Sequence, residues 1–352
     1  MRLGIIGLPG SGKTTVFNAV AGAHAMVGTH GQPGDTHRAV VKIPDRRLDL
    51  LFALIQSRKA VHAEIEYLDF PPPVKAEGHP ESVFPTALRE CEGILAVINC
   101  FDMTIGRSPL DRVRDVQTEL VLADFVIADS RRTRLEKDLA RGGKQTPGEI
   151  EAIKKAVAVL ETEQPLRSAT FSPAELALLS GFAFLSLKPV LVVLNTAEGA
   201  SPDPALLEQI RSDAAPGART AVTALCGKVE MELADLSPED RTAFLADFGI
   251  TEPATDKLVR LSYDLLDLIT FFTGAEKESR AWPIARGTTA LEAAGHIHQD
   301  MKRGFIRAEV VPVERLIELG GMAACRKAAA MRLEGKEYVV ADGDFIFFRF
   351  NV

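Results

Sequence analysis

The chain has 352 residues, of which 46% are hydrophobic and 25% charged, with a formal net charge of -7. This composition excludes a disordered chain and indiscriminate coating of nucleic acid, leaves room for two or three domains, and stays compatible with a local basic face. Cys91, Cys100, Cys226 and Cys325 show no C-x-x-C spacing, Met1-Arg2 leads straight into an apolar strand, and no run reaches membrane-span length, so a cytoplasmic protein with neither zinc cage nor disulfide frame is expected.

The first predicted element is the strand Leu3 to Ile6, and behind it stands Gly7-Leu8-Pro9-Gly10-Ser11-Gly12-Lys13-Thr14, a complete G-x-x-x-x-G-K-[ST] phosphate loop. Glycines let backbone N–H groups curl around phosphates, Lys13 offers a cation to the β and γ oxygens, and Thr14 offers a hydroxyl to Mg²⁺. Thr15 and the run to Val20 open a helix whose positive end faces the anion. A nucleoside triphosphate ligand follows, with Lys13 the group that stabilises charge if the triphosphate is cleaved. Gly28 to Asp35 reads as a loop, while Ala39 to Ile43 and the alternating Glu64 to Asp69 read as strands. Ile94 to Asn99 and Pro189 to Asn195 are continuous apolar runs of the kind found in buried strands. Strands separated by helical patterns imply an α/β fold with a parallel sheet and a ligand at the strand carboxyl ends. Asp69 has two readings there: a Walker-B-type carboxylate holding a Mg²⁺-bound water, or a cap before the turn Pro71-Pro72-Pro73.

From about Leu110 to Gly181 the pattern is helical and heavily charged, as in an inserted antiparallel hairpin. Val113, Val116, Leu120, Val121 and Asp124 mark one helix, Arg131 to Arg141 continue it, Gly142-Gly143 break it, and Glu149 to Glu163 return. Alternating charge signs fit a solvated face, the alternative being an RNA contact through Arg131, Arg132 and Arg134. Asn195-Thr196-Ala197-Glu198 stands where guanine-specific P-loop proteins carry Asn-Lys-x-Asp. Here the carboxylate is one methylene longer and Thr196 replaces the Lys, so ATP is favoured over GTP; alternatively Asn195 caps a turn and Glu198 is solvated. From Asp267 onward strands are expected over Leu268 to Thr273, Glu278 to Ile284 and Phe305 to Val311, with a helix over Leu291 to Asp300. A final pair is expected, Tyr338-Val339-Val340 turning at Asp342-Gly343-Asp344 into Phe345 to Phe350. His296 and His298 lie two apart on the predicted helix and face apart, against a metal site.

These residues resemble the YchF subfamily of Obg-related P-loop proteins, the Obg-like ATPases. The resemblance rests on G-L-P-x-x-G-K-[ST]-T at 7 to 15, Asn-x-x-Glu at 195 to 198, the stretch Glu230 to Gly249, and the tail from LITFFTGAEKESRAWPIARGTT to RLEGKEYVVADGDFIFFRFNV. It extends over essentially the whole chain. It implies a discontinuous P-loop NTPase domain at 1–110 and 182–266, a helical coiled-coil insert at 111–181, and a C-terminal α+β TGS domain of β-grasp fold at 267–352, associated with RNA and ribosome contacts. It also implies that Gly10 to Thr15 hold the triphosphate, Thr14 ligates Mg²⁺, Asn195 and Glu198 face the adenine, and Thr223-Ala224 form the loop behind the base. The family's Asp-x-x-Gly is replaced by Asp69-Phe70-Pro71-Pro72, and proline has no N–H for the γ-phosphate. The family's switch threonine aligns with Pro33, although Thr36 stands near enough to substitute if the loop shifts. The expected activity is slow ATP hydrolysis with ribosome or RNA association and neither a membrane nor a sequence-specific DNA partner. The alternative is a nucleotide-gated adaptor that binds ATP and scarcely cleaves it.

Overall fold

The computed structural model describes residues 1–26, 36–71, 74–75, 82–102, 107–142, 146–214, 219–247 and 252–351. The loop expected over Gly28 to Asp35, including Pro33, lies outside the described residues, as do Pro72, Pro73 and Gly143. The chain divides into two units, Met1–Val41 with Glu66–Leu265, and Lys42–Ile65 with Leu266–Val352.

The first unit is built on a seven-stranded sheet in the order Thr220–Leu225, Val190–Thr196, Gly93–Cys100, Arg2–Ile6, Glu64–Asp69, His37–Lys42 and Ala25–Met26. The first five of these are parallel neighbours. Val190–Thr196 is buried at every position, as a parallel strand covered on both faces must be, and this explains its unbroken apolar run. The register sets Ile5 beside Asp69 and Asn99 beside Asn195. Three strand ends therefore meet where the phosphate loop leaves Ile6, ahead of the helix Lys13–His24.

The inserted arm begins with the helix Pro109–Ala140, started by a reciprocal capping box between Ser108 and Asp111 with Pro109 at its first turn. Its 32 residues rise about 48 Å at 1.5 Å each. The apolar face divides along that length. Val113, Val116 and Leu120 join the core above the sheet, whereas Val121, Ala128 and Leu135, spaced by sevens, meet Ile153, Val157 and Leu160 of the return helix Glu149–Glu161. A seven-residue repeat is the seam of an antiparallel coiled coil. Arg131 pairs with Glu149 and Arg132 with Asp129 within this hairpin, which supports the solvated-face reading. The arm's root is fixed by Asp124, fully buried, which accepts the N–H groups of Leu185 (3.0 Å) and Ser186 (2.6 Å) and Nη1 of Arg89 (3.0 Å). Glu230, also buried, accepts the N–H groups of Ala254 (2.9 Å) and Thr255 (3.0 Å) and so caps the helix Ala254–Leu265.

The second unit carries a six-stranded sheet in the order Arg332–Glu334, Phe305–Pro312, Asp344–Phe350, Leu268–Gly274, Ser279–Ala285 and Ala60–Val61. Its core joins Phe271, Ala293, Ala308, Ile346 and Phe348 under the helix Ala290–Ile297. Three expectations change here. Residues 42–65, read as part of the nucleotide-binding domain, belong to this unit: Ala60–Val61 pairs in parallel with Ser279 and Arg280, and Arg47 of the helix Arg46–Ile55 lies 5.1 Å from the Phe272 ring. Tyr338-Val339-Val340 is not a hairpin strand, because its backbone bonds the head of the helix instead, Ala290 N–H to Tyr338 O at 2.7 Å and Val340 N–H to Thr288 O at 3.0 Å. The helix expected over Leu291 to Asp300 is two helices, Ala290–Ile297 and Gln299–Arg303, divided at an extended His298 whose Nδ1 accepts the Asp300 N–H at 3.2 Å.

Candidate nucleotide-binding site

The phosphate loop is stitched by the Ser11 N–H donating to Leu8 O at 3.1 Å and by the Val16 N–H donating to Gly12 O at 3.0 Å. Two positions demand glycine. A Cβ at Gly7 would fall 2.4 Å from Ser11 Oγ and 2.8 Å from Val97 O, and Gly12 has a left-handed φ of +76° with Asn195 Nδ2 2.1 Å from where a Cβ would be. At the head of the following helix, Lys13 and Thr14 both turn to Asp69 at the end of its strand. Lys13 Nζ pairs with Asp69 Oδ1, and Thr14 Oγ1 donates to Oδ2 at 3.0 Å. Asp69 and Lys13 are buried while Thr14 is exposed, so the carboxylate holds the two groups that a triphosphate and its cation would engage. No group of three or more His, Cys, Asp or Glu residues stands ready to cage a metal among the described residues, and neither His296 nor His298 belongs to one.

Asn195 ties the second strand end to the loop. Its Nδ2 donates to Ser11 O at 3.1 Å and its Oδ1 accepts the Gly227 N–H at 3.0 Å, all buried. Thr196 is buried and donates to Leu225 O at 3.3 Å, whereas the Glu198 side chain is 67% exposed and lies 3.5 Å from Lys228. A carboxylate therefore stands open at this edge. Thr223 and Ala224 are not a loop: they lie in the strand Thr220–Leu225, paired with Val193 and Leu194, and the chain turns only after Leu225, through Cys226 and Gly227. The apolar run around them needed a partner strand before its extended state could be known.

Sequence reasoning missed Asn99. Its Nδ2 donates to Gly10 O at 3.0 Å, and its Oδ1 accepts the N–H groups of Phe101 (3.1 Å) and Asp102 (3.0 Å). The signal was present, since both buried apolar runs end in Asn, and the sheet places the two side by side. Phe101, 44% exposed, sits against Gly12 and offers a flat apolar surface. The Cys100 thiol is pushed up to about 11 by burial, with Arg112 opposing, so it stays protonated and inert near neutral pH. Beside the loop lies a cavity of about 180 Å³ lined by Leu8, Pro9, Ser11, Asn99, Arg107 and Arg112.

The YchF-GTPase C-terminal family model, described as a protein of unknown function (DUF933), matches residues 268–351. The chain is 38% identical over 364 residues to a Bacillus subtilis protein named ribosome-binding ATPase YchF, covering 100% of both chains. It is 36% identical to a protein of the same name from Haemophilus influenzae, covering 100% of this chain and 99% of the other. Among solved structures, the Schizosaccharomyces pombe YchF GTPase matches with a TM-score of 0.85 at 24% identity, covering 99% of this chain and 97% of that one. That likeness speaks to the fold.

Proposed function

The chain belongs to the YchF family, and on that premise we propose that it binds ATP, hydrolyses it slowly in the cytoplasm, and associates with the ribosome or its RNA through the C-terminal unit and the helical arm. The observation that carries the nucleotide reading is the convergence of Lys13 and Thr14 on buried Asp69 beside a loop in which Gly7 and Gly12 have no room for a side chain. On binding, the phosphate oxygens replace Asp69 as the partner of Lys13, and the phosphate-loop N–H groups take the remaining charge. Thr14 and Asp69 fit a divalent cation: an exposed hydroxyl and a carboxylate face each other, with too few protein ligands for a cage, which suits an ion that keeps waters and phosphate oxygens. Held by Thr14 and Asp69, Mg²⁺ would supply neutralisation of the triphosphate's charge.

In the reaction, a water oxygen bonds to the γ-phosphorus while the bridging P–O bond breaks. ADP leaves with the bond's electron pair, and phosphate and a proton are released. Glu198 supports adenine over guanine. Its open carboxylate accepts from the adenine 6-amino group, where guanine presents an oxygen acceptor, and GTP therefore binds more weakly. The names of the relatives support the ribosome as partner. A second reading, the adaptor that scarcely cleaves ATP, is favoured by Pro71 and the prolines after it, which have no N–H for the γ-phosphate.

Titration calorimetry with Mg²⁺-ATP, ADP and GTP, followed by phosphate release from the same sample, separates the readings. Tighter ATP than GTP binding with release above that of Lys13→Ala supports the slow hydrolase. Binding without release selects the adaptor, and no nucleotide binding overturns both. Co-sedimentation with ribosomes over a salt series tests the partner.

A further inference from the structure

We propose that Arg107 is a catalytic residue of this site, acting from within the same chain as the arginine that neutralises the γ-phosphoryl oxygens while the P–O bond breaks. The inference rests on the hydrolase reading above. A further cation is called for because the sequence has Pro72, without an N–H, where the family's Asp-x-x-Gly has its glycine, and besides the phosphate-loop N–H groups only Lys13 has been assigned to the developing charge.

The cavity beside the phosphate loop has two arginines in its lining together with Leu8, Pro9 and Ser11 of the loop itself, and the two arginines are not equivalent. Arg112 is buried, and its Nη1 and Nη2 donate to the carbonyl oxygens of Asn99 and Asp102. It is committed to holding the turn after the Gly93–Cys100 strand. Arg107 lines the same cavity as Leu8 and Pro9, with 60% of its side chain exposed and an ion pair to Asp115, itself 31% exposed. A pair so exposed is worth about 0–1 kcal/mol, so its guanidinium exchanges a carboxylate for a phosphoryl group at little cost and gains a bidentate partner. The wall behind it is rigid, because Asn99 clamps Gly10 O to the N–H groups of Phe101 and Asp102. Ser11 Oγ lines this cavity too, buried and without a hydrogen-bond partner among the described residues, which leaves a polar atom in the wall for a ligand oxygen or water.

The test compares the full chain with Arg107→Ala, Arg107→Lys and Asp115→Asn by steady-state ATP turnover and by affinity for ADP with aluminium fluoride against ADP alone. Arg107→Ala is expected to lower kcat by about 100-fold or more, leave the KM for ATP within about threefold, and abolish the extra affinity for the fluoride complex. Arg107→Lys loses most of the same turnover because it lacks the planar fork, and Asp115→Asn, which only frees the arginine, keeps or raises kcat. Wild-type turnover and fluoride affinity in Arg107→Ala overturn the inference and leave the hydrolase reading standing, as does a raised KM with unchanged kcat. A wild-type chain that neither releases phosphate nor prefers the fluoride complex overturns both. Should Arg107→Ala fail to fold, Arg107→Lys with an unchanged melting temperature decides by the same two readouts.

Discussion

Asp69 makes two contacts at once, with the Lys13 ammonium and the Thr14 hydroxyl, and this double duty predicts how the site responds to substitution. Asp69→Asn removes the charge that Lys13 meets and that a divalent cation held at the proposed site would meet. The expected result is ATP binding that no longer tightens with Mg²⁺, with turnover falling by about 10²-fold or more; calorimetry with and without Mg²⁺ checks it. Asn195 is a different kind of residue, because both atoms of its side-chain amide bond backbone groups, Ser11 O and the Gly227 N–H. Asn195→Ala strands Ser11 O and the Gly227 N–H in a buried place, at about 1–3 kcal/mol each. It is expected to weaken ATP by about tenfold or more and to lower the melting temperature even without nucleotide, whereas a change at Glu198 should move the ATP-to-GTP ratio and leave stability alone. The phosphate loop is legible residue by residue because its geometry is local. Asn99 was legible only as the Asn that ends an apolar run, like Asn195; its bond to Gly10 was not, since the two lie 89 positions apart and nothing in the spacing joins them.

Among elements, the arm helix is the one whose sequence carried most of its structure. Ser108 starts it, Gly142 with a φ of +74° follows its end, and Val121, Ala128 and Leu135 repeat by sevens along the seam. What its periodicity could not tell is that the lower part of the same face belongs to the sheet core. Asp124 marks the changeover, and its carboxyl is held above the usual carboxylate range by burial, with the Ser186 N–H and the Arg89 charge opposing. Asp124→Ala removes one partner of a buried ion pair and leaves two N–H groups unmet. A loss of about 3–5 kcal/mol in chemical denaturation is expected, against less than about 0.5 kcal/mol for Arg134→Ala on the exposed part of the arm. Loss of the same size in both would show that Asp124 does not anchor the arm's root.

For the whole molecule, the buried thiols set an alkaline limit. Burial pushes the Cys91 and Cys100 thiols up to about 11 from their ordinary 9.0. The folded state therefore favours the neutral thiol, so their contribution to stability is complete below pH 9 and is lost as pH rises to about 11. Denaturation midpoints should fall across that window, and Cys91→Ala with Cys100→Ala should flatten the slope even though the substitutions lower the starting stability; an unchanged slope would reject the assignment. The division into units was less legible than this chemistry. By itself the sequence determined the phosphate loop, the buried parallel strands and the arm, because each follows from neighbouring residues: glycines with left-handed or crowded backbones, continuous apolar runs, and heptad spacing. Only the tertiary structure decided that residues 42–65 belong with the C-terminal sheet, that Tyr338 to Val340 serve a helix head, that Asn99 clamps Gly10, and that Arg107 lines one cavity with Leu8, Pro9 and Ser11 of the phosphate loop. Those outcomes depend on which distant backbone groups find one another, and a hydrogen-bond donor satisfied by a far partner leaves no period in the chain to read.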